Sequence, residues 1–406
     1  MISVFTPTHR DLNNKFFRQA YESLKNQTFK NFEWVLIANG EVKNFPKEDW
    51  IRVIKYEPKD KGNVGELKKY ACSQCKGEYL VELDNDDELT PNALEEVNKA
   101  LKDNDFCYSN CAEIKFGKPY TYKKVYGWEH RDFEWNGKQI ETVAFKPTPM
   151  SFSKIWYAPN HVRAWRKDFY DKIGGHKPMR ELDDHDILCR TYLATNKIKH
   201  IDKVLYIYYI HGDNTWAKRA EGIQAKTLEI HDQYIYPMVE NWCRNNGLPL
   251  IDLCGGHNSP KEYKSIDKKG GDITADLSKK WPFKDSSIGV FRAHDALEHL
   301  EPIHTMKEIY RCLIPGGWLL SNTPSTKGRG AWQDPTHISF WNPNSFWYYT
   351  KKDIAKYIGS PVNFRMSRVK EYQPNQHCIN NDIWYVRADL IKDDGKLRIP
   401  GLKEMV

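Results

Sequence analysis

Short apolar runs alternate along the first 85 residues with segments whose apolar positions recur at helical spacing. Residues 2–6 read as a strand, and over 13–24 Phe16, Phe17, Ala20 and Leu24 fall on one helical face. Strands follow at 32–38 and 51–56, a helix at 66–75 and a fourth strand at 79–84. This alternation predicts a mostly parallel, doubly wound sheet. Such sheets bind ligands beyond the carboxyl ends of their strands, where Thr6, Asn39 and Asp84 stand. Over 217–247, Ile223, Leu228, Ile230, Ile235, Val239 and Trp242 keep a broadly helical spacing that stops at Asn245-Asn-Gly247 before Pro249. A second alternation starts at 250–253, continues at 263–266 and 288–292, returns at 318–321, and closes with an antiparallel pair at 362–372 and 382–390. The expectation is an α/β chain of two domains, 1–215 and 248–390, with a helical connector at 216–247 and a tail at 391–406.

Length agrees, since 406 residues exceed what one core usually serves. A composition of 40% hydrophobic and 28% charged residues excludes wholesale disorder and low-complexity architecture. No apolar run is long enough for a membrane-spanning helix, which leaves only peripheral contact with a membrane open. The opening Met1-Ile-Ser-Val-Phe reads as strand rather than as a secretory leader, and nine cysteines, an odd number, suit a reducing compartment. A cytoplasmic location is therefore expected. The 61 Lys and Arg against 54 Asp and Glu give +7, but the charges are interspersed and form no basic stripe, so a nucleic-acid partner is not expected. Cys72, Cys75, Cys107 and Cys111 have a spacing that zinc could use, but the first pair falls in a helical segment, which disfavours it. The 14 Trp, 23 Tyr and 17 Phe supply flat faces suited to stacking on sugar rings as well as to core packing.

Candidate chemistry begins after the fourth strand. Asp84, Asp86 and Asp87 flank Asn85, and acids so close repel one another unless a cation or strong hydrogen bonds compensate. Hard oxygen ligands of this kind favour Mg²⁺ or Mn²⁺ shared with a substrate's phosphates. Capping of a helix near Pro91 by Asp87 or Thr90 is the competing use.

The surrounding segments, in order, are Ser3-Val-Phe-Thr-Pro-Thr-His-Arg10, the stretch from Ser23 to Trp34, Gly62-Asn-Val-Gly65 with Lys68, and Gly77 to Asp87. Arg163 to Gly175, Leu182-Asp-Asp-His-Asp-Ile-Leu188 and Tyr206 to Asn214 complete the series. Over 1–215 this resembles the family 2 glycosyltransferases of the GT-A (Rossmann-like) fold, whose DxD motif corresponds to Asp84-Asn-Asp86. The resemblance implies an inverting, metal-dependent transfer of a sugar from a nucleotide-sugar donor to a glycan hydroxyl. Asp86, Asp84 and His211 would serve the metal, and Thr6, Pro7, Thr8, Arg10, Asn39, Lys68, Asp84 and Asn85 the nucleotide sugar. Asp183 or Asp184 would be the base, with Asp184 preferred. A UDP-sugar is the expected donor, and a glycan or lipid-linked oligosaccharide the acceptor. Two departures stand out: Ala38-Asn39-Gly40 replaces the acids usual after strand two, and Lys68 replaces an Arg. The aromatic segment 120–165, with Trp128, Trp135, Trp156 and Trp165, is expected to shape the acceptor groove.

In the second half, Leu250-Ile-Asp-Leu-Cys-Gly-Gly-His-Asn258 is a strand entering a small-residue turn, and Asp267 ends the next strand. Asp276-Leu, Trp281-Pro-Phe, Ala293-His-Asp-Ala-Leu-Glu-His-Leu300, Glu308 to Gly317, Ser321-Asn-Thr-Pro324 and Asp334-Pro-Thr-His337 follow. Together these resemble class I S-adenosylmethionine-dependent methyltransferases, a compact Rossmann-like fold. The resemblance implies S-adenosyl-L-methionine as cofactor, with contacts from Asp252, Cys254, Gly255 and Gly256, from Asp267 to ribose, and from Asp276 to adenine. His294 and Asp295 would lie beside the sulfonium, and His337 or His299 would accept a proton. Cys254 replaces a glycine, and the short link from Gly256 to Asp267 leaves no room for the usual helix. The pairing implies sugar transfer coupled to O-methylation in polysaccharide biosynthesis. The alternatives are a methyltransferase half without turnover, a glycan-binding scaffold, or a protein methyltransferase.

Overall fold

The computed structural model describes residues 1–122, 127–153, 159–212, 214 and 220–398. Trp156, residues 216–219 of the connector and the end of the tail lie outside them. The chain divides into two compact units, Met1–Ile235 and Tyr236–Arg398. The division falls inside the helix Ala220–Asn245, beside Pro237. A proline there lacks the N–H that the helical ladder uses, so one bond of the ladder is missing at that point.

The first unit contains β1 (Ile2–Thr8), β2 (Phe32–Ala38), β3 (Ile51–Lys55), β4 (Tyr79–Glu82), β5 (Glu88–Leu89) and β6 (Phe106–Lys115). It continues with β7 (Lys118–Tyr120), β8 (His130–Glu134), β9 (Lys138–Thr142), β10 (Arg163–Arg166) and β11 (Ile198–Ile210). The main sheet runs β3-β2-β1-β4-β10-β6-β11-β5. β3, β2, β1 and β4 are mutually parallel, as the strand–helix alternation requires. Beyond them the sheet is mixed: β10 is antiparallel to both β4 and β6, while β11 is parallel to β6. β2 and β4 are buried along their whole length, the pattern of strands covered on both faces. The helix Lys15–Lys25 is capped by Asn14, whose Oδ1 accepts from Phe16 and Phe17 N–H. It packs Phe17, Ala20 and Leu24 into the core.

The second unit contains β12 (Leu250–Leu253), β13 (Lys264–Asp267), β14 (Ile273–Thr274), β15 (Ile288–His294), β16 (Leu313–Pro324), β17 (Phe364–Tyr372) and β18 (Tyr385–Lys392). Their order is β14-β13-β12-β15-β16-β18-β17. The first five are parallel, and β17 and β18 form the expected antiparallel pair. Chain order reverses at β12 and β15, so their carboxyl ends frame the crevice where open α/β sheets take ligands. Only a 3₁₀ turn, Gly256–Asn258, separates β12 from β13. Among the described residues no helix is long and apolar enough to cross a membrane.

Candidate functional site

In the first unit the acids after β4 meet the helix Asp183–Ala194 at the carboxyl end of the parallel strands. Gly65 makes that meeting possible: a Cβ there would lie 2.0 Å from the Lys177 carbonyl oxygen and 3.0 Å from the Asp183 Cβ. Its N–H donates to Met179 O at 2.9 Å, which docks the loop carrying Asp183 onto the helix Val64–Gln74.

Beneath the site lies a buried charge network. Lys68 Nζ sits 2.6 Å from Glu82 Oε1 and 3.3 Å from Asp183 Oδ2, and all three side chains are nearly inaccessible. Arg163, 1% exposed, donates from Nη1 to Asp184 Oδ2 at 2.8 Å and from Nε to Pro159 O at 3.0 Å. Burial alone would raise every carboxyl pKa here, so the cations decide which acids stay ionised. Against burial, Lys68 and Arg163 hold Glu82 down at about 2. Asp184 is also lowered, by Arg163 and then Lys68. Burial wins at Asp183, raised to about 6, and at Asp84, raised to about 7 with Glu82 and Asp86 adding to it.

Asp86 Oδ2 pairs with Arg10 Nη1 at 2.5 Å and His211 Nε2 at 2.9 Å, and these two hold its pKa down against burial. Arg10 Nη1 also donates to Asn85 Oδ1 at 2.8 Å, and Asn85 Nδ2 reaches Thr8 Oγ1 at 3.2 Å. The loop 7–10 is thereby tied to the acid turn. Asp87 faces inward, accepting from Tyr206 Oη at 2.9 Å and Tyr209 N–H at 2.8 Å, so it caps no helix. Asn92 stands before the helix Ala93–Ala100, without a side-chain cap bond. Asn39 is half-buried after β2, its N–H bonded to Thr8 O at 2.8 Å.

Two expected donor contacts are placed elsewhere. Thr6 is fully buried, with Oγ1 donating to Leu83 O at 2.7 Å and accepting from Trp34 Nε1 at 2.9 Å, so it fastens β1 to its neighbours. Lys68 is spent on Glu82 and Asp183 rather than held toward a phosphate. Of the expected acceptor aromatics, Trp165 is core, with Nε1 bonded to Thr191. Trp128 is buried against Tyr122 and Phe145. Trp135 does line a cavity of about 890 Å³, together with Phe16, Phe116, Tyr209 and His211. Glu82 and Arg163 escaped the sequence reading. The one available signal was a charge inside an otherwise apolar strand.

The donor set suits a divalent ion. Asp84 is a carboxyl among like charges, and Asp86 is already held by two cationic or proton-donating groups. Asp84 and Asp86 could hold such an ion with His211 adjacent. Asp86 Oδ2 and His211 Nε2 already lie 2.9 Å apart, but with Asp84 they do not form one converging ligand group in this structure.

In the second unit Cys254 adopts φ +56° and Gly256 φ +48°. A Cβ on Gly256 would meet nothing nearer than Asp267 Oδ2 at 3.9 Å, leaving open space beside that acid. The Gly255 side is closed: a Cβ there would lie 2.0 Å from Asp252 Oδ2 and 2.3 Å from Ser259 Oγ. Asp252 is wholly buried and engaged by Arg292 Nη1 at 2.9 and 3.0 Å and by Ser259 Oγ at 2.7 Å. It braces the turn from behind rather than facing a ligand. Asp276 holds its own turn, accepting from Ser278 N–H at 3.1 Å and Oγ at 2.7 Å. His294 is held neutral, its pKa lowered to about 3 by burial and then by Arg292, whose Nη2 lies 3.0 Å from His294 Nδ1. Asp295, at φ +50°, is raised by burial. The open side of the turn at Gly256, with the Asp267 carboxylate beside it, could hold the cofactor's ribose hydroxyls.

A sheet with acids gathered at its strand ends, followed by one with a glycine turn at its switch point, makes this chain a pair of α/β domains. Residues 3–174 match the family model described as Glycosyl transferase family 2, and residues 242–321 the one described as Methyltransferase domain. A segment of the first unit thus matches the family 2 glycosyltransferase model, and a later segment the methyltransferase model, each within an α/β sheet.

Similar proteins include the glycosyltransferase GlyG of Streptococcus pneumoniae serotype 4, 23% identical over 222 residues, covering 51% of this chain and 70% of the relative. The O-antigen biosynthesis protein RfbC of Myxococcus xanthus is 25% identical over 242 residues, covering 56% of this chain but 17% of the relative. The hyaluronan synthase of Pasteurella multocida is 24% identical over 236 residues, covering 56% and 22%. The chain thus spans about a fifth of the latter two. Among solved structures, S. aureus TarS 1-349 in complex with UDP-GlcNAc aligns at TM-score 0.43 and 16% identity, covering 61% of this chain and 74% of that one.

Proposed function

We propose that the first unit is an inverting, divalent-metal-dependent glycosyltransferase that moves a sugar from a UDP-sugar to a hydroxyl of a glycan or lipid-linked oligosaccharide. The observation carrying this reading is the gathering of Asp84, Asp86 and Asp184 around Arg10, Arg163 and His211 at the carboxyl end of the parallel strands. Bound at Asp84 and Asp86, Mn²⁺ or Mg²⁺ would supply positive charge to the departing diphosphate. Arg10 is the residue best placed to exchange its Asp86 partner for a phosphate. Asn39, half-buried after β2 and bonded to Thr8 O, is the candidate contact for the base edge.

Asp184 is the preferred base because its side chain is 26% exposed, whereas that of Asp183 is 6% exposed and faces Lys68. Arg163 fixes the Asp184 carboxylate and keeps it ionised, ready to accept the hydroxyl's proton as the sugar carbon is attacked from the face opposite the leaving group. Asp183 and Lys68 are positioning residues beneath it.

The second unit is read as binding S-adenosyl-L-methionine at Gly256 and Asp267 and methylating a hydroxyl of the same glycan. The bond between Asp252 and Arg292 and the closed Gly255 side favour a second version, in which this unit binds without turnover. We assign sugar transfer to 1–215 and methyl transfer to 248–390, with 216–247 as connector and 391–406 as tail. All nine cysteines are free, which suits work in the cytoplasm.

The test is UDP release from a panel of UDP-sugars with Mn²⁺ and glycan acceptors. Asp86→Asn should lower turnover by about 10²-fold or more, and Asp184→Asn by about 10²–10⁴-fold with donor affinity retained. Wild-type chain that neither transfers nor hydrolyses any donor would sink the reading.

A further inference from the structure

Within the second unit, one ligating atom each from Glu298, His299 and His337 lies within 4.8 Å of the others, and no other such trio occurs among the described residues. Glu298 and His299 sit on the 3₁₀ turn Leu297–His299 just after β15, so the trio lies beyond the strand ends. His337 arrives from a distant loop that is firmly docked. The N–H groups of Ile338 and Ser339 both donate to Glu298 O, at 2.9 and 3.0 Å, and Ser339 Oγ donates to Leu297 O at 2.8 Å.

Each imidazole has its Nδ1 face engaged by a carbonyl oxygen, which can only accept. His337 Nδ1 lies 2.9 Å from Ala331 O, and His299 Nδ1 lies 3.3 Å from Thr336 O. His299 Nδ1 also lies 3.2 Å from Thr336 Oγ1, whose hydrogen goes to Asp334 Oδ1 at 2.7 Å, so each neutral ring carries its hydrogen on Nδ1 and keeps a lone pair on Nε2. Glu298 is 2% exposed, with one oxygen anchored by Thr323 Oγ1 of β16 at 2.5 Å. Oriented imidazoles and an anchored carboxylate are what surrounds the ligands of metal sites. A further carboxylate oxygen, Asp334 Oδ2, stands 3.9 Å from His337 Nε2, while Oδ1 of the same group accepts from Thr336 N–H and Oγ1.

We propose that Glu298, His299 and His337 bind a divalent transition-metal ion with coordination positions left open for an oxygen ligand. Two imidazoles and one carboxylate suit zinc, manganese, iron, cobalt or nickel rather than an all-oxygen calcium or magnesium site. Ligands at ~2.0–2.1 Å from such an ion sit about 3.4 Å apart, so small side-chain rotations close the set. An ion here occupies the Nε2 lone pairs, and neither histidine then serves as a free proton acceptor. The site does not depend on the transfer reactions proposed above.

The experiment uses the full chain carrying Asp86→Asn, which removes one carboxylate from the Asp84, Asp86 and His211 set of the first unit, stripped with chelator and titrated with Co²⁺. One equivalent should bind and give visible d–d absorption, with metal content read independently by mass spectrometry. Glu298→Gln and His337→Ala should each weaken binding 10–100-fold, and the half-buried His299→Gln provides a third variant should either of those fail to fold by circular dichroism. Absence of bound Co²⁺ in the Asp86→Asn chain, or a spectrum and stoichiometry unchanged in folded His299→Gln, overturns the proposal.

Discussion

Lys68→Met separates two uses of one charge. In the structure the ammonium lies between Glu82 and Asp183, with side-chain exposures of 9%, 1% and 6%. Glu82 is displaced from 4.5 to about 2, which corresponds to about 3 kcal/mol of folding free energy. A depressed acid contributes its full share above its unfolded pKa and loses it as pH falls toward about 2. Methionine fills much the same volume but leaves two buried carboxylates facing each other, a loss expected at about 3–5 kcal/mol at pH 7. Without the cation, burial raises both carboxyls. The deficit should therefore shrink as pH falls from 8 to 5 and protons neutralise them. Urea-dependent hydrogen exchange read by mass spectrometry isolates the effect. Peptides from β1 and β4 should open more readily, while those from β12 and β15 stay unchanged. A loss below about 1 kcal/mol that ignores pH, coupled to weaker nucleotide binding, would refute the reasoning and return Lys68 to the phosphate role its motif suggests.

Three further outcomes are open to direct measurement. Glu113, 3% exposed beside Thr142 and Cys111, is raised to about 7, chiefly by burial, so its stabilising share is present below pH 4.5 and lost as pH rises through about 7. Glu113→Gln should flatten the melting-temperature profile across that window, by up to about 3 kcal/mol of pH-dependent stability. Arg292→Met strands the wholly buried Asp252 and should cost the second unit about 3–5 kcal/mol, read by hydrogen exchange in β12. Asp267→Ala should reduce S-adenosylmethionine affinity about tenfold in calorimetry, the cost of about one hydrogen bond to ribose, with the melting temperature nearly unmoved. Among the described residues its carboxylate accepts only a long hydrogen bond, 3.4 Å, from Lys269 N–H.

What the chain disclosed in advance, and what it hid, follow from how far apart the interacting residues lie. β2 and β12 coincide with the apolar runs at 32–38 and 250–253, because a strand buried on both faces needs no partner to be recognised. β10 carries Arg163-Ala-Trp-Arg166 and gives no such signal, yet it lies mid-sheet, antiparallel between β4 and β6. It can do so because Asp184, 21 residues further on, meets its buried guanidinium. The same distance effect divides the site. Asp84, Asp86 and Asp184 stand out in the sequence as candidates, since clustered or paired acids are conspicuous wherever they fall. Glu82 was not, because a single charge in a strand reads as facing water until its partner is known. Thr6 and Asp252 erred in the other direction. Both stand at strand ends where a ligand is expected, but a strand end also has neighbours to fasten, and Leu83 O and Arg292 claim them first. Lys68 combines both effects, since its motif fixes a positive charge in this region while only the fold decides whether a phosphate or two carboxylates receive it.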